Sequence, residues 1–371
     1  MIVINWKNSM RLPIQDISMG RKTIKTALLI GLVMLFLLPG LSFGQTKVGT
    51  SAAPFLTIGV GARPQAMGGA FVAISDDVHA LFWNPAGLAR LQRSEVALVH
   101  STWLADMSYD YVGAAFAMGQ SGTIGISATL LSVGEMEVTT ERYQDGTGLM
   151  FDSYDMCATV SYGYRFYDKF SIGANLKYIS QKIWNESANG MAIDLGTLLI
   201  TPLNDIRLGM SISNFGTKMQ MGGRDLLVFH DPDENREGNN PNIPAEIQTD
   251  QWKLPLTMRL GLSGEVLQDD MNRVTLAADW VVPNDNSESL NFGSEYAYKE
   301  FFFIRAGYRA LRPGNYGGSF RLGEEDNGGG VTFGGGVILS LAGGVAFHAD
   351  YAYESYERLG GVHKYSLSMQ F

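Results

Sequence analysis

One cysteine in 371 residues, Cys157, excludes an internal disulfide, and it stands far from the start of the chain, where a lipid-modified cysteine would follow a leader. Five histidines (79, 100, 230, 348 and 363) are scattered without HExxH spacing or cysteine support, so neither a metal site nor a cofactor site is expected. Gly59, Gly61, Gly68 and Gly69 lack the strand before and the helix after that a dinucleotide fold needs, and read as close backbone packing. The carboxylates that begin at Asp231 alternate as in a calcium loop, but Arg236 and Asn242 stand where such a loop needs Gly and Glu. No Gly-x-Ser-x-Gly elbow is present, nothing else favours a hydrolase site, and no enzyme is expected. Basic residues are also scarce: 28 Lys and Arg face 37 Asp and Glu, and no nucleic-acid-binding signature appears, so nucleic acid is not an expected partner.

Long apolar runs are absent after the first 44 residues. The single one, Thr26 to Leu38, is short, lies near the N-terminus and follows Arg21, Lys22 and Lys25. With small residues at Ser42 and Gly44 it reads as a signal peptide over residues 1–44, cleaved before Gln45, rather than as an anchor helix. Met19 is a second plausible start, which makes residues 1–18 a candidate start-site misassignment. Removing the leader takes away five Lys and Arg and one Asp, leaving a mature chain of about −13.

What is abundant is glycine (44 residues), tyrosine (16) and phenylalanine (19), arranged in period-two alternation from residue 94 to 371. Tyr365, Leu367, Met369 and Phe371 share one face, and Lys364, Ser366, Ser368 and Gln370 the other. The same pattern predicts about fourteen strands, at 94–103, 107–118, 122–134, 151–166, 170–184, 190–201, 206–216, 251–267, 272–283, 288–299, 301–312, 328–340, 343–357 and 360–371. Many are longer than globular strands, and about 9–11 tilted residues cross a bilayer. Tight connections alternate with a set that contains every long one (135–150, 217–250 and 311–327), as in outer-membrane barrels. A soluble sandwich needs neither feature. The expectation is an all-β, 14-stranded antiparallel transmembrane barrel over residues 94–371, closed because a bilayer offers no partner to a sheet edge, with both termini periplasmic.

Residues 45–93 do not alternate. Asp76 to Leu88 reads as one brief helix with acidic residues in its first turn and a break at Asn84-Pro85, and the whole segment is expected to fold into the barrel as a plug. The strand phases point Arg259, Asp279, Glu295, Arg305, Arg309, His348, Asp350 and Glu354 into the lumen, with Asp155, Arg165, Lys177, Asp194, Arg207 and Lys299. Such charges either line a polar conduit or fix the plug to the wall, the second being favoured because charges away from water persist when paired.

The run from Gly49 to Arg63, then Ala66-Met-Gly-Gly-Ala-Phe71, Asp76-Asp77 and Trp83-Asn84-Pro85-Ala86-Gly-Leu88, resembles the N-terminal region of the PorV/PorQ family. Leu254-Pro255, Met258-Arg-Leu-Gly261 and the terminal Phe371 are similar to later parts of it. These barrels go with the FadL-like outer-membrane transporters, whose plug carries a similar Asn-Pro-Ala motif. The resemblance implies a fourteen-stranded barrel with an N-terminal plug that includes Phe71, Asp76, Asp77, Phe82, Trp83, Asn84, Pro85 and Ala86. For PorV proper it implies a part in type IX secretion, where proteins bearing a C-terminal sorting domain are received from the translocon and conveyed to the surface attachment machinery. Gly87 stands here where PorV proper is expected to carry lysine. The alternatives are a FadL-like passive channel for small hydrophobic compounds, gated around Phe71, Phe82 and Trp83, and a purely structural role.

Overall fold

The computed structural model describes residues 49–232, 240, 242–311, 330–341, 343–356 and 359–371. The expected signal peptide, the expected loop at 311–327 beyond Leu311, and residues 233–239 and 241 of the Asp231 loop lie outside the described residues.

Alternating sequence becomes alternating burial over fourteen antiparallel strands. They are β1 (Glu95–Thr102), β2 (Ser108–Ala117), β3 (Thr123–Glu137), β4 (Met150–Tyr167), β5 (Phe170–Ile183), β6 (Glu186–Ile200) and β7 (Arg207–Gly216). Then come β8 (Thr257–Gln268), β9 (Asn272–Pro283), β10 (Ser289–Tyr298), β11 (Phe302–Leu311), β12 (Gly330–Ser340), β13 (Ala346–Ser355) and β14 (Gly361–Gln370). Each pairs with its sequence neighbours, and β1 pairs with β14 with Leu98 opposite Leu367, so the sheet closes. The strand expected from residue 251 begins instead at Thr257. Pro255 has no N–H to give a ladder, and Gln251–Trp252 pairs with Met219–Gln220 in the long connection.

The burial pattern is that of a barrel in lipid. Leu98, Ile126, Val160, Leu176, Leu195, Ile304 and Leu367, all on the outward phase, are each at least half exposed. Ser101, Ser161, Asn175, Asp194, Thr275, Glu295 and Lys364, on the inward phase, are buried. A water-soluble fold would invert this. No described helix is long and apolar enough to cross a membrane.

Ahead of β1 the chain runs through the ring. Ser51 bridges to Lys253 and bonds Asp285, and Ala53 N–H donates to the Gln181 side chain (3.0 Å), all at the rim that carries the long connections. At the opposite rim Arg93 reaches the Gly344 carbonyl, and Phe371 N–H bonds Ser94 O (3.0 Å). The expectation that both termini share one side therefore fails for the first described residues. The barrel strands begin and end at the short-connection rim, but the segment that precedes them starts at the other.

Ordinary strand side chains would leave no room for this segment. Glycines in direct register clear it a path: Gly163–Gly173–Gly196 across β4, β5 and β6, Gly209–Gly261 across β7 and β8, and Gly293–Gly307 across β10 and β11. The turn from Asn84 to Ala89 lies on the first row, Val72–Ala73 on the second and Met67–Gly68 on the third. A Cβ on Gly163 would stand 2.7 Å from Leu88 Cβ, and one on Gly293 2.5 Å from Met67 O. Gly173→Val, which must displace the Pro85 backbone, is expected to cost about 1–3 kcal/mol through overpacking. Gly134→Val, with nothing within 4 Å of its Cβ, serves as the control. The temperature at which the folded band is lost on semi-native gels should fall for the first variant and hold for the second.

Candidate functional site

The lumenal segment has little regular structure with which to satisfy its own peptide groups. Its helices are α1 (Ala62–Ala66) and α2 (Ala80–Trp83), joined by tight turns to a 3-10 stretch at Pro85–Arg90. The single helix expected over Asp76 to Leu88 is thus two short pieces, broken at Asn84, whose extended backbone cannot continue α2. Nor do Asp76 and Asp77 sit in a first helical turn. They precede α2 and are engaged by Arg63.

The wall supplies the missing partners. Asp279 of β9 accepts from Phe71 N–H (2.9 Å) and Val72 N–H (3.0 Å), Glu95 of β1 from Val78 N–H (3.2 Å), and Ser366 of β14 from Ala62 N–H (2.6 Å). Asn175 of β5 donates to Leu81 O (2.8 Å), and Thr332 of β12 to Ala66 O (3.0 Å). Asn84 is fully buried and works in three directions. It donates to Val72 O (2.9 Å) and to Thr197 O of β6 (3.0 Å), and its side-chain oxygen caps Ala86 N–H (3.2 Å). Only a carboxamide offers two donors and an acceptor at one carbon, which gives the Asn-Pro-Ala motif its physical meaning. Pro85 then sits where a missing N–H does no harm.

Charge makes a second set of ties. Arg63 bonds Asp76 (2.6 Å), Asp77 (2.9 Å) and, through Nε, Glu295 (2.9 Å). Glu295, 1% exposed, also receives Arg273 (3.1 Å) and Arg305 (2.7 Å), and Arg305 continues to Asp350 (2.5 Å). Arg309 pairs with Glu354, which takes a bond from Gln65 (3.1 Å). Arg259, also buried, reaches Ser213 at 3.4 Å and lies over the Trp83 ring (5.5 Å). His348 is half-buried on the same inward face of β13. Lys299 does not share that fate: it occupies the turn after β10 and is exposed.

His79 binds Asp77 at 2.9 Å. Burial opposes its protonation, yet the carboxylates of Asp77, Glu95 and Asp350 together outweigh burial and hold the imidazole pKa above its ordinary value. The same contacts with His79 and Arg63 hold Asp77 below the usual carboxylate range.

Aromatic residues fill the remaining space. Trp83 donates its indole N–H to Val60 O (2.8 Å) and meets Phe71 and Phe82 edge-on at 6.4 and 5.3 Å. A cavity of about 20 Å³ lies beside Phe55, Leu81 and Phe82, lined also by Tyr109, Cys157 and Lys177. At the long-connection rim a separate two-stranded ribbon, Leu227–His230 with Ile243–Glu246, exposes Leu227, Phe229 and Ile243.

Phe71, Asp76, Asp77, Phe82, Trp83, Asn84, Pro85 and Ala86, named from the sequence, all lie in the one segment that precedes β1, but sequence reasoning gave no role to Arg63, Gln65, Glu95, Asn175 or Arg273. The signal available was phase: Asn175 is a polar residue on the inward side of a strand, as Asp194 beside it is. Among the described residues no group of three His, Cys, Asp or Glu could hold a metal ion.

Two outcomes follow from this chemistry. Glu295→Gln leaves three guanidiniums without their shared carboxylate and should cost about 3–5 kcal/mol, while Arg63→Met combined with Glu295→Leu should cost less than the separate losses summed, in a thermal-unfolding double-mutant cycle. His79, whose folded pKa is raised, contributes stability that is complete below its unfolded pKa of about 6.5 and lost as pH rises through the folded value. The stability difference between wild type and His79→Gln should therefore shrink on the alkaline side.

A family model described as Type IX secretion system protein PorV matches residues 42–223. No curated protein sequence matches the chain. Among solved structures, the CymD monoaromatic hydrocarbon channel is 14% identical, with a TM-score of 0.52 over 84% of this chain and 97% of its own. The Pseudomonas putida toluene transporter TodX is 14% identical, with a TM-score of 0.53 over 84% of this chain and 98% of its own. At that identity the likeness shows the barrel fold alone. The family match, which covers just under half of the chain, and the barrel together carry a likeness: residues 42–223 resemble PorV, and the described residues close into a barrel with the fold of these channels.

Proposed function

We propose that this chain is a non-enzymatic component of type IX protein secretion that binds or shuttles secreted proteins at the outer membrane, with residues 45–93 as a fixed plug. The observation that carries the reading, beside the family match, is the filled lumen. The segment from Ala53 to Leu91 is buried almost throughout and bonded to strands around the ring, so a protein cargo has no way through it. Cargo recognition then falls to the long connections, and the short ones face the periplasm. The exposed apolar residues of the 227–230 and 243–246 ribbon, with Ile247 and Trp252 nearby, suit a partner surface better than water. The partners on this reading are proteins with C-terminal sorting domains and the translocon that releases them, with outer-membrane lipid around the barrel.

A passive channel for small hydrophobic compounds is the second reading, favoured by the described function of the two barrels with similar fold. Against it stands size. A cavity that admits benzene is on the order of 150 Å³; the pocket at the long-connection rim lined by Ala52, Met219, Met221 and Trp252, about 220 Å³, has that room, but the cavity beside Phe55 and Phe82, about 20 Å³, holds no more than a water molecule. Opening it would require Phe82 and Leu81 to leave contacts that also hold the plug.

Replacing residues 227–246 by a Gly-Ser linker should abolish copurification of sorting-domain cargo and its retention at the surface, with the barrel still folded on semi-native gels. Unchanged cargo binding would refute the secretion reading. In liposomes, toluene uptake should be no faster with the protein than without; rapid uptake would favour the channel.

A further inference from the structure

At the short-connection rim, where the lumenal segment leaves the barrel, Arg90, Arg165 and Arg207 converge. Arg90 ends the turn Pro85–Arg90, Arg165 lies near the end of β4, and Arg207 opens β7. Arg165 donates to Ala89 O (3.2 Å), which sets the β4 guanidinium against that turn. Arg207, 8% exposed, bonds Glu265 through Nη2. Asp76, the other carboxylate that acts on Arg90, is already engaged by Arg63. Among the described residues the three guanidiniums thus have one direct ion pair, Arg207 with Glu265.

Two of them keep donors that nothing satisfies. Arg90 Nη1 and Arg207 Nε are buried and have no hydrogen-bond partner among the described residues. An unsatisfied buried donor is costly, and more so on a charged group. Burial first, then the charges of Arg207 and Arg165, hold the Arg90 pKa below the ordinary arginine value against the pull of Asp76 and Glu265. A structure whose only task was to fix the plug would gain by placing a second carboxylate here. Arg165 and Arg207 stand on the inward phase of their strands, where Ser or Thr is the commoner occupant of this barrel.

We propose that Arg90, Arg165 and Arg207 form a binding site for a small oxyanion, a carboxylate or phosphate group presented at this mouth of the barrel. The planar guanidinium fork matches two oxygens of such a group and its charge cancels the mutual repulsion; Arg165, exposed at the mouth, meets the anion first, and the orphaned Nη1 and Nε, sealed from solvent here, become its donors once the side chains part around it. On the orientation proposed above, the site opens to the periplasm. It is independent of the long connections and does not depend on the secretion reading.

The test uses the full chain in detergent, with thermal unfolding followed against inorganic phosphate and, separately, acetate, at ionic strength held constant with sodium chloride. A saturable upward shift is expected with at least one of the two anions; a stronger effect of phosphate assigns a phosphate group and of acetate a carboxylate. Arg90→Gln and Arg165→Gln should each weaken the half-saturation concentration at least tenfold. Arg93→Gln, exposed at the same rim and bonded to the Gly344 carbonyl, should leave it unchanged. Arg165 is exposed, so its variant keeps the fold and the test even where Arg90→Gln perturbs the turn. General exclusion of phosphate from protein surfaces stabilises all variants alike. A shift that persists undiminished in Arg165→Gln, or the absence of any shift beyond chloride, would overturn the site.

Discussion

A segment with no ladder of its own, enclosed by a ring that has spent its backbone hydrogen bonds on closure, can be satisfied only by side chains of the ring. That constraint explains the inward face of this barrel more fully than any requirement for a pore. Where the segment presents N–H groups the wall offers Asp279, Glu95 and Ser366, and where it presents carbonyls the wall offers Asn175 and Thr332. Where its backbone itself comes close, the wall offers glycine. Polarity and emptiness on the inner face are two responses to the same demand.

The ionic ties answer a different need. A buried pair adds little net stability over well-packed apolar residues, because desolvation consumes most of the attraction, but it is strict about geometry. Glu295 accepts one guanidinium from the segment and two from the wall, so only one placement of Arg63 leaves all of them matched. The hydrogen bonds and packing supply the adhesion, and the charge network selects the seat. This division suits a lumenal segment that stays in place, since displacement would strand Arg273 and Arg305 around a carboxylate that had lost its third partner.

Much of the barrel was legible because lipid enforces a strict code. One slip of register would turn Leu98 or Leu367 inward and Ser366 out, so alternation survives in sequence and the strand ends follow it closely. The place where the pattern misled, ahead of Thr257, is where Pro255 prevents pairing while the apolar alternation runs on through Leu254 and Leu256. The lumenal site was legible only as composition. Asn84-Pro85 marked a break, but that Asn84 would bind Thr197, 113 positions away, depends on how β6 is tilted in the closed ring. The glycine rows illustrate the same limit. Gly163, Gly173 and Gly196 each look like an isolated weak point in a strand, and their common purpose appears only when pairing brings them side by side.

The seam of the ring ties these threads together. β1 and β14 close the barrel by pairing with each other, and both also hold the lumenal segment: Glu95 takes Val78 N–H, Ser366 takes Ala62 N–H, and the buried ammonium of Lys364 reaches Gly59 O. Glu95 and Ser368, one from each seam strand, bond to each other at 3.0 Å beneath the segment. An empty ring would leave the Lys364 ammonium without its carbonyl acceptor, and an open ring would leave the segment without two of its acceptors. Closure and filling are therefore one event energetically. The chain enters at one rim and leaves at the other, directly into β1, so the strand that completes the barrel is also the strand continuous with what the barrel encloses.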